Sequence, residues 1–204
     1  MKINNRVFKD IISLENLFSA WDEFKRGKIN KIDVQKFEFN LEHNIFDLYY
    51  DLSHEVYQHG AYKIFHIHDP KHRIISKATV RDRIVHHAVF KELCQIFDPS
   101  FIYHSYSSRI GKGTHLAVLN LEKALRKASK NYYQNVYILK CDIKKFFASI
   151  PHKKLLAIIK RKITDQKFLW LIEQVIDSFV SPVDKIPERE RERERERERV
   201  NRRH

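Results

Sequence analysis

Tyr62-Lys63-Ile64-Phe65-His66-Ile67-His68-Asp69-Pro70-Lys71-His72-Arg73-Ile74-Ile75-Ser76 decides the fold class, because it reads as two short strands joined by a tight turn in a chain that otherwise reads as helix. Asp69-Pro70 fits the opening of a type I turn, since proline at the second position supplies the fixed φ that the turn requires. Lys71, His72 and Arg73 then give the hairpin a basic tip. On its N-terminal side, residues 10 to 60 carry Ile11, Ile12, Leu14, Leu17, Phe18 and Trp21, then Leu41, Ile45, Phe46, Leu48, Tyr49 and Leu52, at helical spacing. Two or three amphipathic helices are predicted there. On its C-terminal side, Thr79-Val80-Arg81-Asp82 has the form of a capping box with Asp in the place of Glu, and the apolar positions that follow predict a helix over 80–97. The class is α+β.

Further out, Asp98-Pro99 should stop that helix. Residues 103 to 113 hold two of the chain's four glycines and read as a loop, after which Thr114 can cap a helix running to about Ala128. Val136-Tyr137-Ile138-Leu139-Lys140-Cys141-Asp142-Ile143 is near-continuously apolar, which predicts a strand covered on both faces. Ser149 and Pro151 should open another helix, and a further apolar helix is predicted over 165–179, with ordered structure ending near Val180.

The chain of 204 residues carries 39 Lys and Arg against 26 Asp and Glu, a formal net charge of +13, which suits a surface that meets phosphate. The alternating Glu-Arg run from Glu188 to Arg199 contributes no net charge, so the basic excess belongs to the body. A GA dinucleotide repeat encodes Arg and Glu alternately in every frame, and in a helix the pattern sets like charges at i,i+4; the run is expected to be an exposed, disordered tail. Two cysteines form no disulfide framework and no apolar run of about 18 residues exists, so a cytoplasmic protein without a membrane span is expected. The 12 histidines lack the Cys-x-x-Cys or His-x-x-x-His pairs that frame zinc.

Asp142 is the sharpest single residue, since a carboxylate at the end of a buried strand must meet a metal, a cation or several donors. Lys144, Lys145, Phe146 and Phe147 follow it directly. Asp165 and Asp177 read instead as a helix-start charge and a solvated residue. Tyr103, Tyr106, Tyr132 and Tyr133 could stack on bases or pack against the protein.

Four blocks in this order, His66–Ile75, Val80–Ala88, Ser105–Ala117 and Lys140–Ile150, resemble the first blocks of a prokaryotic-type reverse transcriptase of the group II intron, retron and diversity-generating retroelement class. The resemblance spans roughly residues 10 to 180. It implies a right-hand polymerase, with an N-terminal helical segment over 1–60, a fingers-like region over 61–130, the start of a palm sheet over 131–180 and the Arg-Glu tail over 181–204.

By the same resemblance, Asp142 is the first metal-binding aspartate and catalytic carboxylate, and the Ile143 carbonyl is a further ligand for Mg²⁺. Paired divalent ions lower the pKa of an attacking 3′-hydroxyl and stabilise the leaving pyrophosphate. Lys71 and Arg73 reach the triphosphate of a dNTP, and Phe147 lies where an aromatic ring excludes a ribose 2′-hydroxyl. Arg109, Gly111, Lys112 and Gly113 lie along the phosphates of RNA template, DNA primer or RNA–DNA hybrid. The family's Tyr-x-Asp-Asp block does not occur between Phe147 and His204. The expectation is therefore an RNA-directed DNA polymerase cut short before its second aspartate block and inactive alone. The alternatives are a non-catalytic module binding RNA or RNA–DNA hybrid, and a gene fragment without function.

Overall fold

The computed structural model describes residues 7–68, 72–143 and 146–179. The expected Arg-Glu tail, the hairpin turn with Lys71, and Lys144 and Lys145 lie outside them. The chain divides into two compact units, one formed by residues 1–92 with 145–204 and the other by residues 93–144.

In the first unit the N-terminal segment forms four helices rather than two or three: α1 (Val7–Ile12), α2 (Leu14–Lys25), α3 (Ile32–Phe39) and α4 (Leu41–Ser53). The extra breaks have local causes. Ser13 interrupts the first apolar run by capping α2, its hydroxyl accepting from Asn16 N at 3.2 Å. Gly27, at φ +69°, takes the left-handed conformation that lets the chain turn after α2. The apolar faces then meet in one core, where Leu17, Trp21 and Phe24 of α2 and Ile45, Leu48 and Leu52 of α4 are buried.

The hairpin forms as predicted. Strand β1 (Lys63–His68) pairs antiparallel with β2 (His72–Lys77), and α5 (Val80–Phe97) follows at the boundaries read from the sequence. Val80, Ile84, Val85, Ala88 and Val89 of α5 enter the core. After α7 (Phe146–Ser149), the helices α8 (His152–Lys160) and α9 (Gln166–Asp177) pack on each other, and α9 also packs on α1. Asp165 joins those last two elements: its buried carboxylate accepts from Lys167 N at 3.0 Å, Phe168 N at 3.1 Å and Phe8 N at 3.2 Å. One side chain thus satisfies open amides at two helix starts.

The second unit continues from the last turn of α5 through a 3₁₀ turn (Asp98–Ser100), the 101–113 loop and α6 (Thr114–Ala128) to residue 143. Here two expectations are corrected. Thr114 is inside the helix rather than capping it, and the N-cap is Gly113, whose φ of +122° most residues resist. The strand predicted over 136–143 is not formed, and Tyr137, Leu139 and Asp142 stand exposed. A strand requires a hydrogen-bonded neighbour, and among the described residues the hairpin is the only sheet. Apolar residues in the unit are accordingly uncovered, Leu139 at 88% and Ile110 fully.

Candidate nucleotide and nucleic-acid site

Strand alternation gives the hairpin two different faces. The register pairs Arg73 with Ile67, Phe65 with Ile75 and Lys63 with Lys77, so one face carries three cations among apolar side chains. The other carries His66, His68 and His72, with the His66 and His72 rings stacked at 5.0 Å and joined Nδ1 to Nε2 at 2.7 Å. Arg73 itself is exposed. At the base of the hairpin, Lys36, Lys63, Lys77 and Arg81 line a cleft of about 860 Å³ together with Asp33. Asp33 is the single acid in that lining and is held by Lys77 and Arg83, each at 2.7 Å.

What fixes the hairpin's base is a buried polar cluster. Asp82 accepts from Thr79 Oγ1 at 2.5 Å, Tyr57 Oη at 2.8 Å and Gly60 N at 3.2 Å, and its own N–H donates to Thr79 Oγ1. Burial pushes its carboxyl up, but the bonds from Thr79 and Tyr57, the His59 ring and the Gly60 amide outweigh this and hold it below the usual range. A side chain at Gly60 would come within 3.0 Å of Asp82 Oδ2, which explains the glycine.

His59 Nδ1 lies 2.7 Å from the Gly60 carbonyl, which only accepts, so that nitrogen holds a hydrogen. Its Nε2 meets His86 Nε2 at 3.1 Å, and the two rings stack at 5.2 Å. Burial, with the neighbouring His59, pushes the His86 imidazole down to about 4. Tyr62 stacks on His59 and its hydroxyl meets Ser178 Oγ at 3.1 Å, tying the start of the hairpin to the end of α9. Only the capping-box pattern at Thr79–Asp82 signalled any of this. The parts played by Tyr57, His59 and Gly60 depend on contacts about 20 or more residues away in sequence and have no local signature.

In the second unit, Arg109, Gly111, Lys112 and Gly113 do share one loop. Arg109 Nε and Nη2 grip the Asp98 carboxylate at 2.5 and 2.9 Å. This bonding lowers the Asp98 carboxyl below its ordinary value and raises the guanidinium. Lys112 Nζ sits 4.4 Å from the Tyr103 ring and 5.3 Å from the Tyr106 ring, and donates to the Tyr103 carbonyl. The sequence marks Asp98 only as a helix stop.

Asp142 and Ile143 are exposed, and Phe147, in the first unit, is 84% exposed with its ring edge-on to Phe146 at 5.5 Å. A hard divalent cation asks for about six oxygen ligands. Among the described residues no group of three or more His, Cys, Asp or Glu side chains is placed to hold a metal, so the donors present do not make a complete site. No described helix is long and apolar enough to cross a membrane.

The chain is 32% identical over 106 residues to the uncharacterized 91 kDa protein in the cob intron of Schizosaccharomyces pombe, covering 52% of this chain and 12% of that protein. It is 24% identical over 185 residues to a COX1/OXI3 intron 2 protein of Saccharomyces cerevisiae, covering 85% of this chain and 20% of the relative. Protein YkfC of Escherichia coli is 24% identical over 106 residues, 27% of its length. The chain thus spans at most about a quarter of these relatives. The model of the family described as reverse transcriptase (RNA-dependent DNA polymerase) matches residues 66–202, which take in the hairpin from His66 onward, α5, the Arg109–Lys112 loop and Asp142, and the chain belongs to that family.

Proposed function

We propose that this chain is the fingers and the opening of the palm of a group II intron-type RNA-directed DNA polymerase, and that by itself it binds RNA or RNA–DNA hybrid without polymerising. The observation that carries the reading is the family match through residues 66–202 of a body whose basic excess is independent of its tail. Backbone affinity requires only charge and shape, neither of which depends on a complete metal site.

Within the reading, Arg73 and Lys71 serve the triphosphate of a dNTP. Phe147 guards the sugar, and Lys112, with the Gly111 and Gly113 backbone, meets template or primer phosphate. Reverse transcriptases as a family use divalent metals, and Asp142 with the Ile143 carbonyl supplies two of the oxygens such an ion takes. Because the remaining donors are not among the described residues, no chemical step follows from this chain.

Fluorescence anisotropy with a single-stranded RNA over a salt series tests the reading. Log affinity should fall linearly with log salt, and Lys112→Ala should reduce the slope by about one unit. Asp142→Ala should leave affinity unchanged or slightly higher, and no nucleotide should be incorporated with Mg²⁺ present. Salt-insensitive binding, or none, would overturn the assignment.

A further inference from the structure

Arg109 makes five hydrogen bonds, and every acceptor belongs to the stretch from Asp98 to Ser105. Nε and Nη2 take the two Asp98 carboxylate oxygens, Nη2 also reaches the Asp98 carbonyl at 3.2 Å, and Nη1 reaches the carbonyls of Ser105 at 3.1 Å and Ile102 at 3.3 Å. A guanidinium has five N–H donors. Its capacity is spent inside the loop, and its side chain is only 11% exposed. A phosphate oxygen could be engaged by Arg109 only if one of these bonds were given up.

Lys112 is placed differently. Of its three ammonium N–H groups, one donates to the Tyr103 carbonyl, while the nitrogen lies over the Tyr103 and Tyr106 rings. Tyr106 is fixed at its far end, its hydroxyl accepting from Asn120 Nδ2 at 2.8 Å and meeting His104 Nδ1 at 3.0 Å. Tyr103 is 67% exposed. The loop therefore presents a cation with spare donors beside an aromatic ring open to solvent, the pairing by which proteins hold unpaired nucleotides.

We infer that Arg109 is a positioning residue, and that the Asp98–Arg109 clamp presets a grip in which Lys112 takes a backbone phosphate and Tyr103 stacks on the adjoining base of single-stranded nucleic acid. The inference rests on the proposed RNA binding and assigns Arg109 away from phosphate. The loop prefers a single strand because a base can lie on Tyr103 only when it is not paired and stacked in a duplex.

Two readouts test it: anisotropy with a uridine 20-mer, and hydrogen exchange of the 101–113 amides without nucleic acid. Asp98→Ala discriminates by sign. If Arg109 bound phosphate directly, removing a carboxylate beside it would tighten RNA binding. The clamp predicts weaker binding, by the same factor as Arg109→Ala, with the double variant no weaker than either. It also predicts that both variants speed exchange at Phe101, Ser105 and Lys112, while Lys112→Ala does not. Tyr103→Ala should weaken binding by about 5- to 150-fold, and Tyr103→Phe should restore it. Tighter binding by Asp98→Ala, additive losses, or unchanged exchange would overturn the clamp. Unaltered affinity in Tyr103→Ala would overturn the stacking contact. If the unaltered chain fails to bind the 20-mer, the proposed function and the grip both fall, while exchange still decides the clamp.

Discussion

At the scale of single residues, the buried carboxylates separate what sequence can announce from what it cannot. Asp165 was legible, since an acid just before an apolar helical run reads as a helix-start charge, and it does cap α9. Its third bond, to Phe8 N, crosses 157 positions and has no local signature. Asp82 was visible only as a member of a capping box, although it is the hub for Tyr57, Gly60 and Thr79. Asp82→Ala should destabilise the fold by about 2–4 kcal/mol, because it leaves a buried hydroxyl and a part-buried amide unsatisfied. Urea denaturation followed by circular dichroism measures this, and a loss under about 0.5 kcal/mol, the scale of a surface change, would deny the cluster its role.

The same cluster sets a pH dependence. His86 is held down to about 4 in the folded chain, against about 6.5 when unfolded, so between those values the unfolded state binds more protons. Stability from this group is complete above about pH 6.5 and is lost as pH falls toward 4. The Asp82 carboxyl, also lowered, adds a loss in the same direction at more acid pH. Thermal melts from pH 7.5 to 4.5 should show a falling midpoint that flattens in His86→Phe. An unchanged pH profile in that variant would assign the dependence elsewhere.

At the scale of elements, local chemistry succeeded wherever an element satisfies itself. The hairpin carries its own pairing partner and α5 its own capping pattern, and both stand where the sequence placed them; the 103–113 loop is tied by Arg109 to Asp98 of the preceding turn. The stretch 136–143 is apolar enough for a buried strand but forms none, because burial of a strand is a property of its neighbours and the described residues supply no ladder for it. The site divides in the same way, since Arg109 and Lys112 were found in one loop while Asp142 was expected in a sheet and stands exposed. Replacing Asp165 by Ala tests the double cap, with an expected cost of about 1–2 kcal/mol from the α9 cap and a further contribution from the orphaned Phe8 amide. Exchange at Phe8 should rise together with that at Phe168. If only Phe168 responds, Asp165 does not anchor α1.

At the scale of the whole molecule, a net charge of +13 is an address rather than a mechanism. On the proposed reading it becomes specific through Arg73 and Lys77 on one hairpin face and through the Lys112 loop, all within the matched residues 66–202. Deleting residues 188–199 removes equal numbers of Glu and Arg and should leave RNA affinity unchanged. The most direct measurement is photo-crosslinking of a thiouridine-substituted RNA to the 204-residue chain, followed by peptide mapping. Crosslinks concentrated in peptides covering residues 63–77 and 101–113 are the predicted result. Crosslinks confined to residues 188–199, or their absence from both of those peptides, would contradict the account.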